Sequence, residues 1–280
     1  MILILTIGKI DKMEGFKVAS KKLGIEVDLA TFGQVSFKLT KDSSGEVFVK
    51  GTPLSKYNII YFRYVGRALE IATVVAKNAN DNRIKIVDSI YEKSLLTPLS
   101  QSKLVELIKL KQAGIPIPKT VFGDFPRLKF PFVVKCTTGQ KSREVWLIKN
   151  NEELEDLQNK FIPGKFYFGQ ELIPNAHRIR VLVVGSKAIG AIVRYTKWYR
   201  DETKETLLPI PKDIAKLAID TSKAADLDIC GVDILQDVVS KKLYVIEANA
   251  APVWKLINNY CSVIVEEEIL KFLNKHSKNK

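Results

Sequence analysis

Apolar positions along the first part of the chain switch between two periods. "ILILTIG", "IEVDLAT", "YNIIYFRYVG" and "IKIVDS" are short apolar runs rich in β-branched residues and predict strands. "MEGFKVASKKLG" and "ALEIATVVAKNAN" repeat their apolar residues at helical spacing, and Gly24 closes the first of these helices as a C-cap. "VSFKLTKDSSGEVFVKG" predicts a small hairpin around "DSSG". Strands alternating with helices imply a parallel sheet covered by helices, with ligands beyond the carboxyl ends of its strands. Arg63 and Arg67 follow one such end and are candidates to face a substrate; surface arginines in a loop fit the same spacing.

The pattern changes at "LTPLSQSKLVELIKLKQAGIPIPKT". Ser100 or Ser102 can cap a helix whose residues Leu104, Leu107, Ile108 and Leu110 share a face, with Gly114, Pro116 and Pro118 ending it. Lys103 stands in the first turn, where the helix dipole opposes a cation. "FVVK", "TTGQKS" and "EVWLI" then read as strand, turn and returning strand. Lys135 closes the first strand, and the turn around Gly139 can aim backbone N–H groups at phosphate. A polar helix, "NEELEDLQNKF", leads to the strand "KFYFGQELI" and to an apolar hairpin, "IRVLVVGSKAIGAIVRY", turning at Gly185-Ser186. The last third contains an amphipathic helix, "KDIAKLAIDTSKAADL", the strands "GVDIL" and "LYVIEANAAP", and a terminal helix. The expected division is three lobes, residues 1–95, 96–168 and 169–280.

Composition narrows the classes. The 280 residues are 46% hydrophobic and 27% charged, which suits a protein with real cores. No apolar run approaches the ~20 residues that span a bilayer, and "MILILTI" is too short for a signal segment, so the cytoplasm is the expected location. Three cysteines without a CxxC pair support neither a zinc cluster nor a disulfide framework, and two distant histidines argue against histidine chemistry. The net charge of +13 suits acidic substrates, an anionic surface or nucleic acid, or equally a Lys- and Ile-rich compositional bias. Without a basic–aromatic stripe or a recognised motif, nucleic acid is the least favoured of these.

The chemistry gathers near the end of the chain. On a strand alternate side chains share a face, so Glu247 and Asn249 project together. A hairpin centred near Ser240 sets Asp233 opposite Glu247. Two facing carboxylates repel, and a hard divalent cation would relieve them; an all-oxygen set of two carboxylates and an amide suits magnesium. Turn formation is the alternative use of Asp233 and Asn249, an Asx turn before Pro252 in the latter case.

"SKLVELIKLKQAGIPIPKT", "FVVKCTTGQ", "QELI", "RIRVLVVGSKAIGAIVR" and "GVDIL…LYVIEANAAP", in this order, resemble the ATP-grasp superfamily, specifically its RimK-like carboxylate–amine ligases, over residues 88–252. The resemblance implies an α/β ATP-grasp fold: a Rossmann-like pre-ATP-grasp domain, a small lid and a C-terminal nucleotide- and metal-binding lobe. It implies that Lys103, Lys135 and Gly139 meet ATP phosphates and that Glu171, Leu172 and Ile173 form the hinge that reads adenine. It further implies that Arg180 and Arg200 neutralise the transferring phosphoryl group, and that Asp233, Glu247 and Asn249 hold magnesium, with manganese as a substitute. His177 and Arg178 stand where the family often carries an acidic ribose-binding residue, which leaves Arg178 as a nucleotide contact. The implied reaction activates a carboxylate as an acyl phosphate, which an amine then attacks. Amino-acid or peptide substrates of acidic character fit the charge, and a homo-oligomer is compatible with the sequence. The lid turn "GQKSREV" departs from the glycine-rich pattern, with Lys141, Ser142 and Arg143 in place of glycines. A degenerate ATP-binding regulatory or scaffold protein is the alternative.

Overall fold

The computed structural model describes residues 1–38, 45–93, 103–123, 125–137, 144–195 and 205–278. The N-terminal part runs β1 (Ile2–Thr6), α1 (Glu14–Leu23), β2 (Val27–Thr31), β3 (Val35–Lys38), β4 (Glu46–Val49), β5 (Thr52–Pro53), β6 (Ile59–Tyr64), α2 (Leu69–Asp81), β7 (Lys85–Val87) and α3 (Ile90–Lys93). Its main sheet has the order β2-β1-β6-β7 with every pairing parallel, and β3, β4 and β5 form the separate small sheet. Continuous apolar strands are what such a sheet requires, because both faces are covered. Leu3 and Leu5 enter one core with α2, whereas Ile2 and Ile4 enter another with Phe16 of α1.

The middle of the chain supplies α4 (Lys103–Gln112), β8 (Thr120–Phe122), β9 (Phe132–Cys136), β10 (Val145–Ile148), α5 (Asn151–Gln158) and β11 (Tyr167–Glu171). The strands form an antiparallel sheet of order β10-β9-β11-β8. One face, with Phe132, Val134, Cys136 and Tyr167, packs on α5; the other carries Lys135, Phe168 and Gln170. A lobe boundary at 168 would cut β11, which runs to Glu171. Helix α4 packs away from this sheet: Leu110 shares a core with Ile234 and Val245 of the C-terminal lobe.

That lobe comprises β12 (Ala176–Val184), β13 (Lys187–Tyr195), β14 (Glu205–Thr206), α6 (Lys212–Ala224), β15 (Ile229–Asp237), β16 (Leu243–Asn249), α7 (Lys255–Tyr260) and α8 (Val265–Ser277). Its sheet has the antiparallel order β14-β13-β12-β15-β16. Gly185, with φ of 59°, turns the β12–β13 hairpin as expected. One sheet face (Ile179, Val181, Val193, Val232, Ile234) is buried with Ile214 and Ala218 of α6. The far end of the other face (Leu182, Val184, Ile192, Ile229) packs with α8, whose Ile269, Leu270 and Leu273 also cover Ile2 and Ile4 of the N-terminal sheet. The two ends of the chain therefore share one core. Buried Asp88 reinforces the seam, its Oδ1 accepting the N–H groups of Asp228 at 2.8 Å and Ile229 at 2.7 Å.

Candidate active site

The near end of that second sheet face is polar. The register places Arg180 beside Asp233, Asp233 beside Glu247, and Arg178 beside Arg194. The β12–β15 register is unbroken, while the other two contacts each depend on a bulge. In β16 the register shifts between Asp233 and Ile234, so Val245 stays in the core while Glu247 and Asn249 project to the site. In the β12–β13 hairpin it shifts between Leu182 and Val183; extending the pairing at the turn unbroken would set Val193, not Arg194, opposite Arg178.

Asp233 is fully buried. Arg180 donates from Nε to Oδ1 and from Nη2 to Oδ2, both at 2.7 Å, and Arg178 Nη2 donates to Oδ2 as well. Burial alone would raise the pKa of Asp233, but the hydrogen bond from Arg180 and the charges of Arg178 and Arg180 outweigh it and hold the carboxyl below the usual range. The charge compensation that the sequence assigns to a cation is thus carried here by two arginines. Arg194 adds a third: its Nε is buried without a hydrogen-bond partner, and burial together with Arg180 and Arg178 makes its charge costly.

Asn249 Oδ1 accepts the Ala251 N–H at 2.9 Å, an Asx turn that leads the chain towards Pro252 and fixes the amide oxygen. This matches the turn-forming use foreseen for it, and the oxygen keeps a second lone pair. Glycine at 231, opposite Asn249, admits the returning loop: a Cβ there would lie 3.1 Å from Pro252 Cβ. Arg63 donates to Pro252 O at 2.7 Å and stacks 4.0 Å over the Trp254 ring, so it braces the loop behind Asn249. Arg67 is exposed on the following turn.

Cations approach from α4 and from the lid. Lys103 stands in the first turn of α4 and Lys135 on β9, where each feels the other's charge; Lys135 also feels Glu247, Arg178 and Asp233. Burial and then Lys103 push the Lys135 ammonium down to about 8. Lys135 donates to Gln170 Oε1 at 2.6 Å. At the hinge, the Glu171 N–H is committed to Lys119 O at 2.8 Å, Leu172 is half-buried and Ile173 is buried. Gly139, Arg200, Ser100, Ser102, Lys141, Ser142 and Arg143 lie outside the described residues.

Glu106 was not singled out from the sequence. It sits one turn beyond Lys103 and accepts the Ala248 N–H at 2.7 Å, while Pro116 O accepts the Val245 N–H at 2.7 Å. Together they close the outer edge of β16. Burial pushes the Glu106 carboxyl up to about 8, against the Ala248 hydrogen bond and with the help of Glu247. Its spacing from Lys103 was readable, but its partner lies 142 positions away.

Among the described residues, no group of three or more His, Cys, Asp and Glu side chains is placed to hold a metal alone. Glu247, Asn249 and the arginine-bound Asp233 nevertheless form an all-oxygen donor set, and magnesium characteristically takes one or two carboxylates and completes its shell with substrate phosphates. The residues fit that ion in company with a nucleotide.

The model of the RimK-like ATP-grasp domain matches residues 102–273. The chain belongs to the RimK-like ATP-grasp family. It is an ATP-dependent carboxylate–amine ligase by class, and ligases of this family use ATP and magnesium. A probable alpha-L-glutamate ligase of Marinomonas sp. (strain MWYL1) is 28% identical over 276 residues, covering 92% of this chain and 89% of that protein. Human N-acetylaspartylglutamate synthase A is 28% identical over 172 residues, 54% of this chain and 44% of that one. Among solved structures, the ATP-grasp ligase PsnB complexed with a phosphomimetic variant of its minimal precursor, Mg and ADP superposes with a TM-score of 0.75 at 14% identity, covering 99% of this chain and 98% of PsnB. A RimK domain protein from Sphaerobacter thermophilus DSM 20745 gives 0.68 at 17% identity, over 97% of this chain and 98% of that one. Both show the shared fold. No helix of the described residues is long and apolar enough to cross a membrane.

Proposed function

We propose that the ligase joins an acidic amino acid, or a peptide of acidic character, to its partner through an acyl phosphate. The observation that carries this reading is the convergence on one sheet face, opposite a lid lysine, of Arg178, Arg180, Asp233 and Glu247. Lys103 and Lys135 would hold the ATP phosphates, with Gly139 in the lid turn, while Glu171, Leu172 and Ile173 line the base and Arg178 borders the ribose. Arg180, with Arg200, would neutralise the phosphoryl group as it passes to the substrate carboxylate; positioning and charge neutralisation are the main demands of this chemistry. Glu247 and Asn249, with Asp233 behind them, would hold magnesium, or manganese in its place, which supplies neutralisation of phosphate oxygens. Arg63 and Arg67 would border the substrate.

Three considerations support the acidic substrate: the net charge of +13, the arginines at the site, and relatives whose names specify glutamate ligation or glutamate-containing products. PsnB, whose structures hold precursor peptides, supports a peptide as the partner. The three free cysteines are all buried, which suits a reducing compartment such as the cytoplasm.

The test is phosphate release from ATP across a panel of amino acids and peptides, read by mass spectrometry of the products. Release should require both an acid and an amine, favour glutamate-containing substrates and vanish in Glu247→Ala. ATP binding without substrate-stimulated turnover across the panel would instead indicate a protein that kept the fold as a regulator.

A further inference from the structure

Lys135 approaches the site from the lid, and what holds it there is a neutral amide. Gln170, on β11, is 2% exposed. It sits directly across the ladder from Thr120 of β8 and diagonally from Lys135 of β9, whose direct partner is Phe168. Three hydrogen bonds run through these residues: Lys135 Nζ donates to Gln170 Oε1 at 2.6 Å, Gln170 Nε2 to Thr120 Oγ1 at 3.0 Å, and Thr120 Oγ1 to Pro118 O at 2.8 Å.

The direction of this chain is forced. A hydroxyl has one proton, and that of Thr120 is committed to a backbone carbonyl, which can only accept. The Thr120 oxygen can therefore only accept from Gln170, so the Gln170 amide must turn its NH2 group to Thr120 and its carbonyl to Lys135. A flipped amide would set NH2 against an ammonium and leave two donors facing each other. Buried polar groups of this kind hold one arrangement because the alternatives leave hydrogen bonds unmade.

We propose that Gln170 and Thr120 are positioning residues for the nucleotide: their one-way relay aims the Lys135 ammonium into the cleft while leaving its charge unneutralised for phosphate. A neutral acceptor suits this task better than a carboxylate. It satisfies one of three ammonium donors and fixes the side chain, whereas a glutamate at 170 would form an ion pair and compete with the phosphates. The other charged groups that bear on Lys135 are Lys103 of α4, Arg178 of β12, Asp233 of β15 and Glu247 of β16. None of them lies on the lid sheet, so the relay sets the lysine's aim from within the lid. The inference rests on the reading of Lys135 as a phosphate contact.

The experiment measures KM for ATP and kcat against pH in the magnesium-loaded ligase. Thr120→Val, which keeps shape and removes the hydroxyl, should raise KM for ATP up to about tenfold with kcat little changed, the size of one buried hydrogen bond between neutral groups. Thr120→Ser should restore it. Gln170→Glu should raise KM at neutral pH and move the alkaline loss of ATP affinity upward by more than one pH unit, a change that loosened packing alone would not produce. Wild-type KM in Thr120→Val, or an unmoved alkaline limb in Gln170→Glu, would overturn the relay. If Lys135→Ala leaves KM for ATP unaltered, the phosphate-contact reading itself fails, and the relay with it. If Lys135→Ala raises KM and Thr120→Val does not, only the relay fails.

Discussion

ATP binding should take up a proton at Lys135. In the free protein, burial and the charge of Lys103 hold this ammonium at about 8, below the ordinary lysine value of 10.5. A polyphosphate beside it reverses the balance, since an anion favours the charged form. If the bound value returns above 10, the free enzyme at pH 8 is about half protonated there, and binding draws in about half a proton. The uptake falls to about 0.1 at pH 7 and rises to about 0.9 at pH 9. Because only the protonated form binds well, affinity should drop about tenfold between pH 7 and pH 9, or about 1.4 kcal/mol. Calorimetric titration with magnesium-saturated ATP, in buffers of different ionisation enthalpy, reads the uptake directly. Lys135→Arg is the control: its guanidinium stays charged over this range, so uptake should vanish while binding persists. A binding enthalpy that does not depend on the buffer at pH 8, or an uptake that survives in Lys135→Arg, would refute the reasoning.

Further outcomes follow from the buried carboxyl groups of the site. Asp233→Asn leaves Arg178 and Arg180 without their shared counter-charge in a buried site and should cost about 3–5 kcal/mol, read as a fall in denaturant midpoint. Glu106→Ala should cost about 1–3 kcal/mol by leaving the Ala248 N–H without its acceptor, whereas Glu106→Gln should keep most of that stability. The sign for Glu106 is also fixed. Its folded value, about 8, lies above the unfolded one, so the folded state binds more protons and wild-type stability should decline as pH rises from about 4 to 8. Glu106→Gln should flatten that decline in metal-free denaturation.

The legibility of this protein varies with the range of the interactions. The N-terminal strands and helices were readable because each depends on its own period and caps, as at Gly24, whose φ of 62° ends α1. Lys103 stood out because a cation at a helix start is unfavourable whatever the helix packs against, but only the family resemblance gave it an anionic ligand. The family motifs were readable because they are runs of neighbouring residues. Gln170 lies within "QELI", yet its hydrogen bonds run to Thr120 and Lys135, fifty and thirty-five positions away.

By itself the sequence determined which side chains alternate: Glu247 with Asn249, Arg178 with Arg180. Alternation is a property of a single strand and needs no partner. Only the tertiary structure decided what those side chains meet. The unbroken register nearest the β15–β16 turn would set Asp233 against Ile246, and one bulge brings it to Glu247 instead. A second bulge turns Arg194 to the same face as Arg178. From the sequence a divalent cation is expected to answer Asp233; folding brings two arginines to it. A bulge shifts every pairing beyond it by one residue, and its position is set by the competing packing of the two sheet faces, which no single strand records.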